Sequence, residues 1–385
     1  MKIKNWLPVI ALTFAAFIFN TSEFIPIGLL SGIASDLQIS EAKAGLLIAI
    51  YAWVVAVASL PLMLAVSRME YRKLLLWILG LFICSHILSA ISTSYAMLMV
   101  SRIGVACSHA IFWSIASPLA VMIAPNGHRS TALSFITTGT SIAMIIGMPL
   151  GRAIGLQVGW RATFMCIAAV SMAVLLIISM VFPKVQSDNA VSLKSLPRLF
   201  KNRELIGVYA LTMVMISAHF TGYSYIEPFM AQTAGFSENS ITLTLTVFGL
   251  VGIIGSILFS RFYDRHHGTF VRYAVIGIPL FLLLLYPASV SHWTMLSVCV
   301  LWGLAITCYN LAFQSEMIRI APQGTVVAMS VYSGIYNVGI GGGALIGGFV
   351  CTHMSIQDIG YVGGTIGIFA TAFCLSSLLP HRKAQ

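Results

Sequence analysis

One long polar stretch interrupts an otherwise apolar chain: residues 183–204 read PKVQSDNAVSLKSLPRLFKNRE. Its second half has the pattern of a basic amphipathic helix that lies on a membrane surface. On either side of it, the sequence contains six apolar segments, each long enough to cross a bilayer as a helix. The stretch therefore predicts an all-α membrane protein with twelve transmembrane helices in two six-helix bundles, residues 1–183 and 205–385, joined by a linker at 184–204.

The composition of the whole chain also indicates a membrane protein. Apolar residues make up 58% of the 385 positions and charged residues only 8%, whereas about 25% of a soluble domain is charged. The same composition excludes a disordered chain, and the continuous apolar runs exclude a transmembrane barrel, whose strands alternate apolar and polar residues. The predicted spans are 7–31, 43–66, 74–93, 96–123, 130–155, 160–182, 205–232, 240–260, 272–290, 293–318, 325–351 and 357–379.

The Lys and Arg residues of the loops determine the predicted orientation. With the N-terminus in the cytoplasm, nearly all of them fall on the cytoplasmic side, and only Lys43, Arg152 and Arg161 fall outside. The net charge of +10 is then a consequence of topology, so no nucleic-acid partner is expected. Both termini are predicted to be cytoplasmic. The first apolar run is too long for the h-region of a cleaved signal peptide.

The two halves resemble each other at corresponding places. Each half has an Ile-Ala-Pro loop, an acidic residue shortly before a proline in its first span, and a Ser-Arg loop. The paired segments are 123–127 with 320–324, 22–26 with 225–229, and 67–72 with 260–265. Because six spans keep both copies in the same orientation, the repeat predicts two parallel bundles with a central cavity suited to alternating access. A channel would differ by fast, gradient-independent flux.

These features resemble the major facilitator superfamily. The run from Thr138-Gly139 to Gly147-Met148-Pro149-Leu150-Gly151-Arg152 is similar to the Gly/Pro motif that marks its antiporters, and Arg102 with Gly104 resembles the embedded arginine motif of its drug/proton antiporter branch. Further stretches resemble bacterial sugar efflux transporters. These stretches are SRIGVACSHAIFWSIASPLA, MPLGRAIG, GWRATF, SLKSLPRLF, YSYIEPF and IGYVGG.

The resemblance implies a monomeric, multi-pass protein of the bacterial cytoplasmic (inner) membrane, surrounded by lipid. It would be a proton-coupled antiporter that exports arabinose-, lactose- or thiogalactoside-like neutral solutes without a cofactor. A multidrug/proton antiporter of the same branch is the alternative, and import by symport comes third. The loop after span two departs from the family pattern: Met63 and Ser67 replace a Gly and an Asp, and only Arg68, Arg72 and Lys73 remain. This weakens the expectation of gating salt bridges built on the first copy, whereas the second copy keeps Asp264-Arg265.

Three charges at membrane depth are candidates for function, because charge is costly there. Glu23 and Arg102 both fall in the outer halves of their spans and would meet if spans one and four are neighbours. Burial favours the neutral form of a carboxyl and a nearby guanidinium favours the charged form, so Glu23 is the predicted proton carrier. A static ion pair that fixes helix packing is the alternative. The third charge, Glu227, lies nearer the outer interface.

Further candidates share helix faces with these charges. His109 and Trp113 follow Arg102 on one face of span four, and His109 could relay the proton or bind substrate. On span seven, His219 and Tyr223 precede Glu227 on one face. These three residues and Trp113 are predicted to bind substrate. A packing role is the alternative for each histidine, and His86 in span three is expected to be structural.

Amide and aromatic residues of spans ten and eleven are predicted to bind substrate. Asn310 and Gln314 share a face of one span, and Tyr336 and Asn337 lie on the other. Amides donate and accept hydrogen bonds, which suits the hydroxyls of a neutral sugar. Hydrogen bonding between helices is the alternative reading of the same residues. Gating and hinge positions are predicted at Gly139, Gly147, Pro149, Gly151, Arg68, Asp264 and Arg265.

Motifs of other function classes are missing from the sequence. H-E-x-x-H, G-x-S-x-G and a P-loop do not occur, which argues against a membrane-embedded enzyme and against ATP hydrolysis. The seven cysteines are an odd number with no C-x-x-C pair, so neither a disulfide framework nor a metal site is expected.

Overall fold

The computed structural model describes residues 6–66, 68–125, 128–186, 201–263, 265–321 and 325–378. Within these ranges the chain is helical apart from short connections, and no residue in them forms a β-strand. Most of the predicted linker (187–200), including its amphipathic helix, and the hinge candidate Asp264 lie outside the described residues.

The chain divides into two compact units. The first comprises Met1–Gln38 and Val57–Val191, and the second comprises Ile39–Ala56 and Ser192–Gln385. Residues 39–56, which belong to predicted span two, are thus grouped with the second unit. The helix that contains most of them, α3, runs from Glu41 to Val66.

The helices of the first unit follow the predicted spans closely. Span one is two helices, and span five is two helices joined by a π-helical turn at Ala143–Gly147. The elements are α1 Leu7–Gly28, α2 Leu30–Asp36, α4 Tyr71–Ala90, α5 Tyr95–Met122, α6 Arg129–Ile142, α7 Met148–Val158 and α8 Trp160–Val181.

The second unit repeats the broken first span. Its helix α9 ends at Tyr223 and α10 begins at Ile226, two residues before Pro228. The elements are α9 Arg203–Tyr223, α10 Ile226–Gln232, α11 Glu238–Phe262, α12 His267–Leu283, α13 Leu285–Ala288, α14 His292–Ile320, α15 Thr325–His353 and α16 Ile359–Phe373, which a π-helical turn extends over Cys374–Leu378.

Length and composition confirm the predicted architecture of twelve membrane-spanning segments. Eleven segments among the described residues are long and apolar enough to cross a membrane, and α12 is apolar but shorter. Large apolar side chains such as Trp77, Met180 and Phe369 are exposed on these helices, whereas soluble proteins avoid large exposed apolar patches. The chain is therefore a multi-pass membrane protein whose apolar surface faces lipid.

Candidate functional site

A proline in α1 leaves a backbone carbonyl of the first unit available to a side chain. In an α-helix the carbonyl of residue 22 would accept a hydrogen bond from the N–H of residue 26, but Pro26 has no N–H. The Nη1 of Arg102 donates to this Ser22 carbonyl at 3.1 Å. Both residues are buried: Ser22 is 0% exposed and Arg102 is 1% exposed. A charged donor on α5 therefore takes the position of the missing helical hydrogen bond.

Glu23 lies beside this arginine, as span packing predicted. Its side chain is 12% exposed, and its Oε2 lies 3.6 Å from Nε2 of His109 on α5. The guanidinium of Arg102 is close enough to act electrostatically on the Glu23 carboxylate. The structure thus brings together the three residues predicted for proton coupling. Trp113 is half-buried one turn further along α5, with its ring 6.0 Å from that of His109.

The structure adds His86, which the sequence analysis assigned to packing alone. His86 is fully buried on α4, and its Nε2 lies 2.7 Å from Oγ of Ser22. Ser22 therefore contacts α4 through its side chain and α5 through its carbonyl. The signal for this arrangement was in the sequence: Pro26 four residues after Ser22 predicts a free carbonyl, but nothing local predicts which side chains reach it.

Four glycines of span five, three of them predicted hinge positions, pack directly on the first span. Each lies opposite a residue of that span at one constant sequence offset, so the two parallel elements stay in register along their length. A Cβ atom on any of these glycines would come within 2.6 Å of its partner. The pairs are Gly139 with Thr13, Gly147 with Thr21, Gly151 with Ile25, and Gly155 with Leu29. These glycines, with buried Pro149 between them, permit close approach of the helix that carries Glu23.

Two further buried charges were missed as depth residues. Arg152 was counted among the outside loop charges, but it lies on α7 with 1% of its surface exposed and donates to the carbonyl of Gly28. That carbonyl is at the C-terminal end of α1, where the helix dipole favours a cation. The second charge, Glu316, is fully buried near the end of α14 in the second unit.

Glu316 is the centre of a polar cluster in the second unit. Its carboxylate accepts from the Tyr263 hydroxyl at 2.7 Å, from Nε and Nη2 of Arg319 at 3.2 and 3.0 Å, and contacts Nε2 of His267. Arg319 also donates to Glu204 at 2.8 Å. Burial disfavours the charged form of Arg319, but the two carboxylates outweigh it and raise the pKa of this residue above its ordinary value.

The gating arginines predicted from the loop motif lie outside this cluster. Arg68 and Arg265 are exposed, and Asp264, the acidic residue of the second loop copy, lies outside the described residues. The hydrogen-bonded charges found at this end of the second unit come instead from α9, α12 and α14. The loop pattern did not predict the residues that pair in this cluster.

An aromatic cluster surrounds His219 in the second unit. The imidazole stacks on Tyr223 at 5.1 Å and meets Trp302 edge to face at the same distance, and Phe248 packs on both of those rings. His219 Nδ1 and Trp302 Nε1 are buried and have no hydrogen-bond partner among the described residues. Helical spacing predicted His219 and Tyr223 together, but it does not predict the two rings that other helices contribute.

The predicted amides of the second unit differ in burial. Asn337 is 6% exposed and its Nδ2 donates to the Ser333 carbonyl, whereas its Oδ1 is buried without a hydrogen-bond partner in the described ranges. Oδ1 of Asn310 is in the same situation. Tyr336 is half-buried and interacts electrostatically with Tyr223, while Gln314 is exposed. Two acceptors are thus available in the interior, and Gln314 is not part of that interior.

Glu227 is buried, although its sequence position suggested a solvated interface. It lies in the first turn of α10 and is 2% exposed. Pro228 again follows a buried serine, Ser224, by four residues, as Pro26 follows Ser22. The second unit therefore carries a buried carboxylate of its own next to a helix break.

Comparison with known proteins identifies the family of this arrangement. The family model described as Major Facilitator Superfamily matches residues 12–328. Two crystal structures of a bacterial homologue of the human lysosomal transporter Spinster have a similar fold. The inward-facing unoccupied form has a TM-score of 0.76 at 13% identity, covering 97% of this chain and 96% of that one. The inward-facing occupied form has a TM-score of 0.73 at 15% identity, covering 95% of each chain.

Proposed function

Because the chain belongs to the major facilitator superfamily, and is therefore a transporter and not an enzyme, we propose that it is a proton-coupled antiporter. It exports sugars or similar small neutral solutes from the cytoplasm by alternating access, and the proton gradient drives it without a cofactor. The substrate shifts the populations of the gate states through its different affinities for them, as does the proton.

The observation that carries the proposal is the environment of Glu23. A charge inside the membrane is stable only when it is paired or bound to backbone carbonyls. When Glu23 takes up a proton, Arg102 loses the attraction of a carboxylate but keeps the Ser22 carbonyl that Pro26 leaves free. The carbonyl thus lowers the cost of protonating Glu23, which is what a carrier that loads and releases a proton requires.

The second unit supports a neutral substrate. Asn310 and Asn337 offer buried carbonyl oxygens, and His219 and Trp302 offer ring nitrogens beside aromatic faces. Binding sites for small molecules combine apolar and aromatic walls with a few polar groups that fix orientation. Amide and ring N–H groups hydrogen-bond hydroxyls without a charge, as a sugar requires.

A multidrug/proton antiporter is the second candidate, because Glu227 is buried in the same unit. A buried carboxylate is the natural partner of a cationic drug. The two functions differ in whether a sugar or a cationic drug is exchanged for protons, and in whether substrate binding needs Glu227.

Transport into inside-out membrane vesicles tests both candidates. An acidic lumen should drive uptake of labelled sugars and should not drive uptake of cationic drugs. Glu23→Gln should abolish uptake driven by the pH gradient but retain sugar counterflow, which needs no net proton movement. Glu238→Gln, a change of an exposed carboxyl at the start of α11, is the matched control and should behave as wild type. Normal gradient-driven uptake by Glu23→Gln would refute the proton role.

The oligomeric state, the membrane and the orientation of the chain are also part of the proposal. We infer a monomer in a bacterial cytoplasmic membrane with both termini in the cytoplasm, on the strength of the Lys and Arg bias of the loops. A cysteine-labelling reagent that does not cross the membrane should modify an added terminal cysteine only in inside-out vesicles. Labelling in intact cells would show that this terminus lies outside and would refute the proposed orientation.

A further inference from the structure

His86 has no part in the proton cycle proposed above, yet its ring is oriented towards one atom of the proton site. Its Nε2 is 2.7 Å from Oγ of Ser22. Its Nδ1 is buried and has no hydrogen-bond partner in the part of the chain that the structure describes. The rings of Phe82 and Phe164 pack around it with centroids 4.4 and 5.7 Å away. A polar side chain in such surroundings depends on its one hydrogen bond.

Ser22 of α1 contacts two other helices, at the position where α1 lacks one backbone hydrogen bond. Its side chain reaches His86 on α4, its carbonyl accepts from Arg102 on α5, and the next residue is Glu23. Because Pro26 has no N–H, the helical hydrogen bond that would hold this carbonyl is missing. The side-chain contact to α4 restrains the same residue.

We propose that His86 is a positioning residue of the proton site: it holds Ser22, which holds Arg102, and so it sets the distance between the guanidinium and the Glu23 carboxylate. This inference rests on the proposed role of Glu23 as the proton carrier. A relay role for His86 does not fit the geometry, because Nδ1 has no described partner to which a proton would pass.

The other charged groups and histidines near this part of α1 have contacts of their own. Within the described first unit, α5 contributes the two charged or titratable groups next to Glu23, and α8 contributes the ring of Phe164 against His86. Span five contributes an arginine that binds the carbonyl of Gly28, further along α1. The groups are Arg102 and His109 on α5, His86 on α4 and Arg152 on α7.

A double-mutant cycle on the full-length protein in detergent or lipid vesicles tests the proposal. The variants are His86→Leu, Ser22→Ala, the two combined, and His86→Gln, whose amide can replace Nε2. Ser89→Ala is the matched control, because it removes another buried 2.7 Å hydrogen bond of α4, to Ser101. Infrared titration follows the carboxyl band that is absent in Glu23→Gln, so no substrate needs to be known.

We expect His86→Leu and Ser22→Ala to displace the Glu23 midpoint in the same direction by about one pH unit, a tenfold change in proton affinity. The double variant should show no further displacement, because both changes remove one contact. His86→Gln should restore the midpoint to near its wild-type value, and Ser89→Ala should leave it unchanged.

Several results would overturn the inference. An unchanged midpoint in His86→Leu, or displacements that add in the double variant, would show that His86 does not act through Ser22. An equal displacement in Ser89→Ala would reduce the effect to loosened packing of α4. Should His86→Leu fail to fold, Ser22→Ala and His86→Gln still decide the question. Absence of a titrating Glu23 band in wild type would instead refute the proposed function, before any His86 variant is measured.

Discussion

Replacing Gly147 by alanine should slow transport while leaving substrate affinity unchanged. The new Cβ would lie 2.1 Å from Oγ1 and 3.0 Å from Cγ2 of Thr21, so the Thr21 side chain or one of the two helices must shift. Overpacking of this kind costs about 1–3 kcal/mol, whereas alanine gains about 1 kcal/mol over glycine in a helix. The net effect is a free energy of unfolding lower by up to about 2 kcal/mol. The strain falls on Thr21, the residue that precedes Ser22.

Two companion variants separate this contact from general effects on helix stability. Gly80→Ala adds the same atom in α4 with no heavy atom within 4 Å, so it should keep full transport and be more stable by about 1 kcal/mol. Thr21→Ala combined with Gly147→Ala removes both clashing atoms and should recover most of the lost rate. The measurements are initial rates of vesicle uptake, substrate binding at equilibrium and thermal unfolding in detergent. Gly147→Ala with the rate and stability of Gly80→Ala would refute the reasoning.

Three further predictions follow from the buried polar groups. Pro26→Ala gives residue 26 an N–H that competes with Arg102 for the Ser22 carbonyl, so thermal unfolding should shift upwards while the ratio of gradient-driven uptake to counterflow falls; a more stable and fully coupled variant would contradict this. Glu316→Gln should lower the free energy of unfolding by about 1–3 kcal/mol, because charge-assisted hydrogen bonds are lost, and an unchanged melting temperature would disprove it. Glu227→Gln should leave sugar uptake intact, and loss of sugar uptake would show that sugar transport itself needs this carboxylate.

The helical architecture was predictable because the bilayer imposes a length on every span. Predicted span four, 96–123, corresponds to α5 at 95–122, and span six, 160–182, corresponds to α8 at 160–181. The predicted spans one and seven hid breaks at Leu29 and at 224–225. A hydropathy pattern does not register such breaks, because the residues on both sides of them are equally apolar.

The candidate site was predictable only where one helix carries several of its residues. Helical spacing placed Arg102, His109 and Trp113 on one face of α5. It gave no sign of His86 or Glu316, since their burial depends on neighbours far away in the sequence. Glu316 lies two residues from the end of predicted span ten (293–318), and only tertiary packing shows that its side chain is fully buried.

The same backbone interruption occurs in both halves, and the two copies have diverged in what they do with it. Pro26 and Pro228 each remove the helical partner of a serine carbonyl four residues earlier. In the first unit the carbonyl of Ser22 accepts from Arg102, next to an acidic residue. At the corresponding place in the second unit, Oγ of buried Ser224 has no hydrogen-bond partner among the described residues. If the repeat arose by duplication, the main difference between the two breaks is that Arg102 binds the carbonyl of the first one. This arginine places a cation beside the first break and its carboxylate, as the proposed proton site requires, whereas the buried hydroxyl at the second break has no described partner.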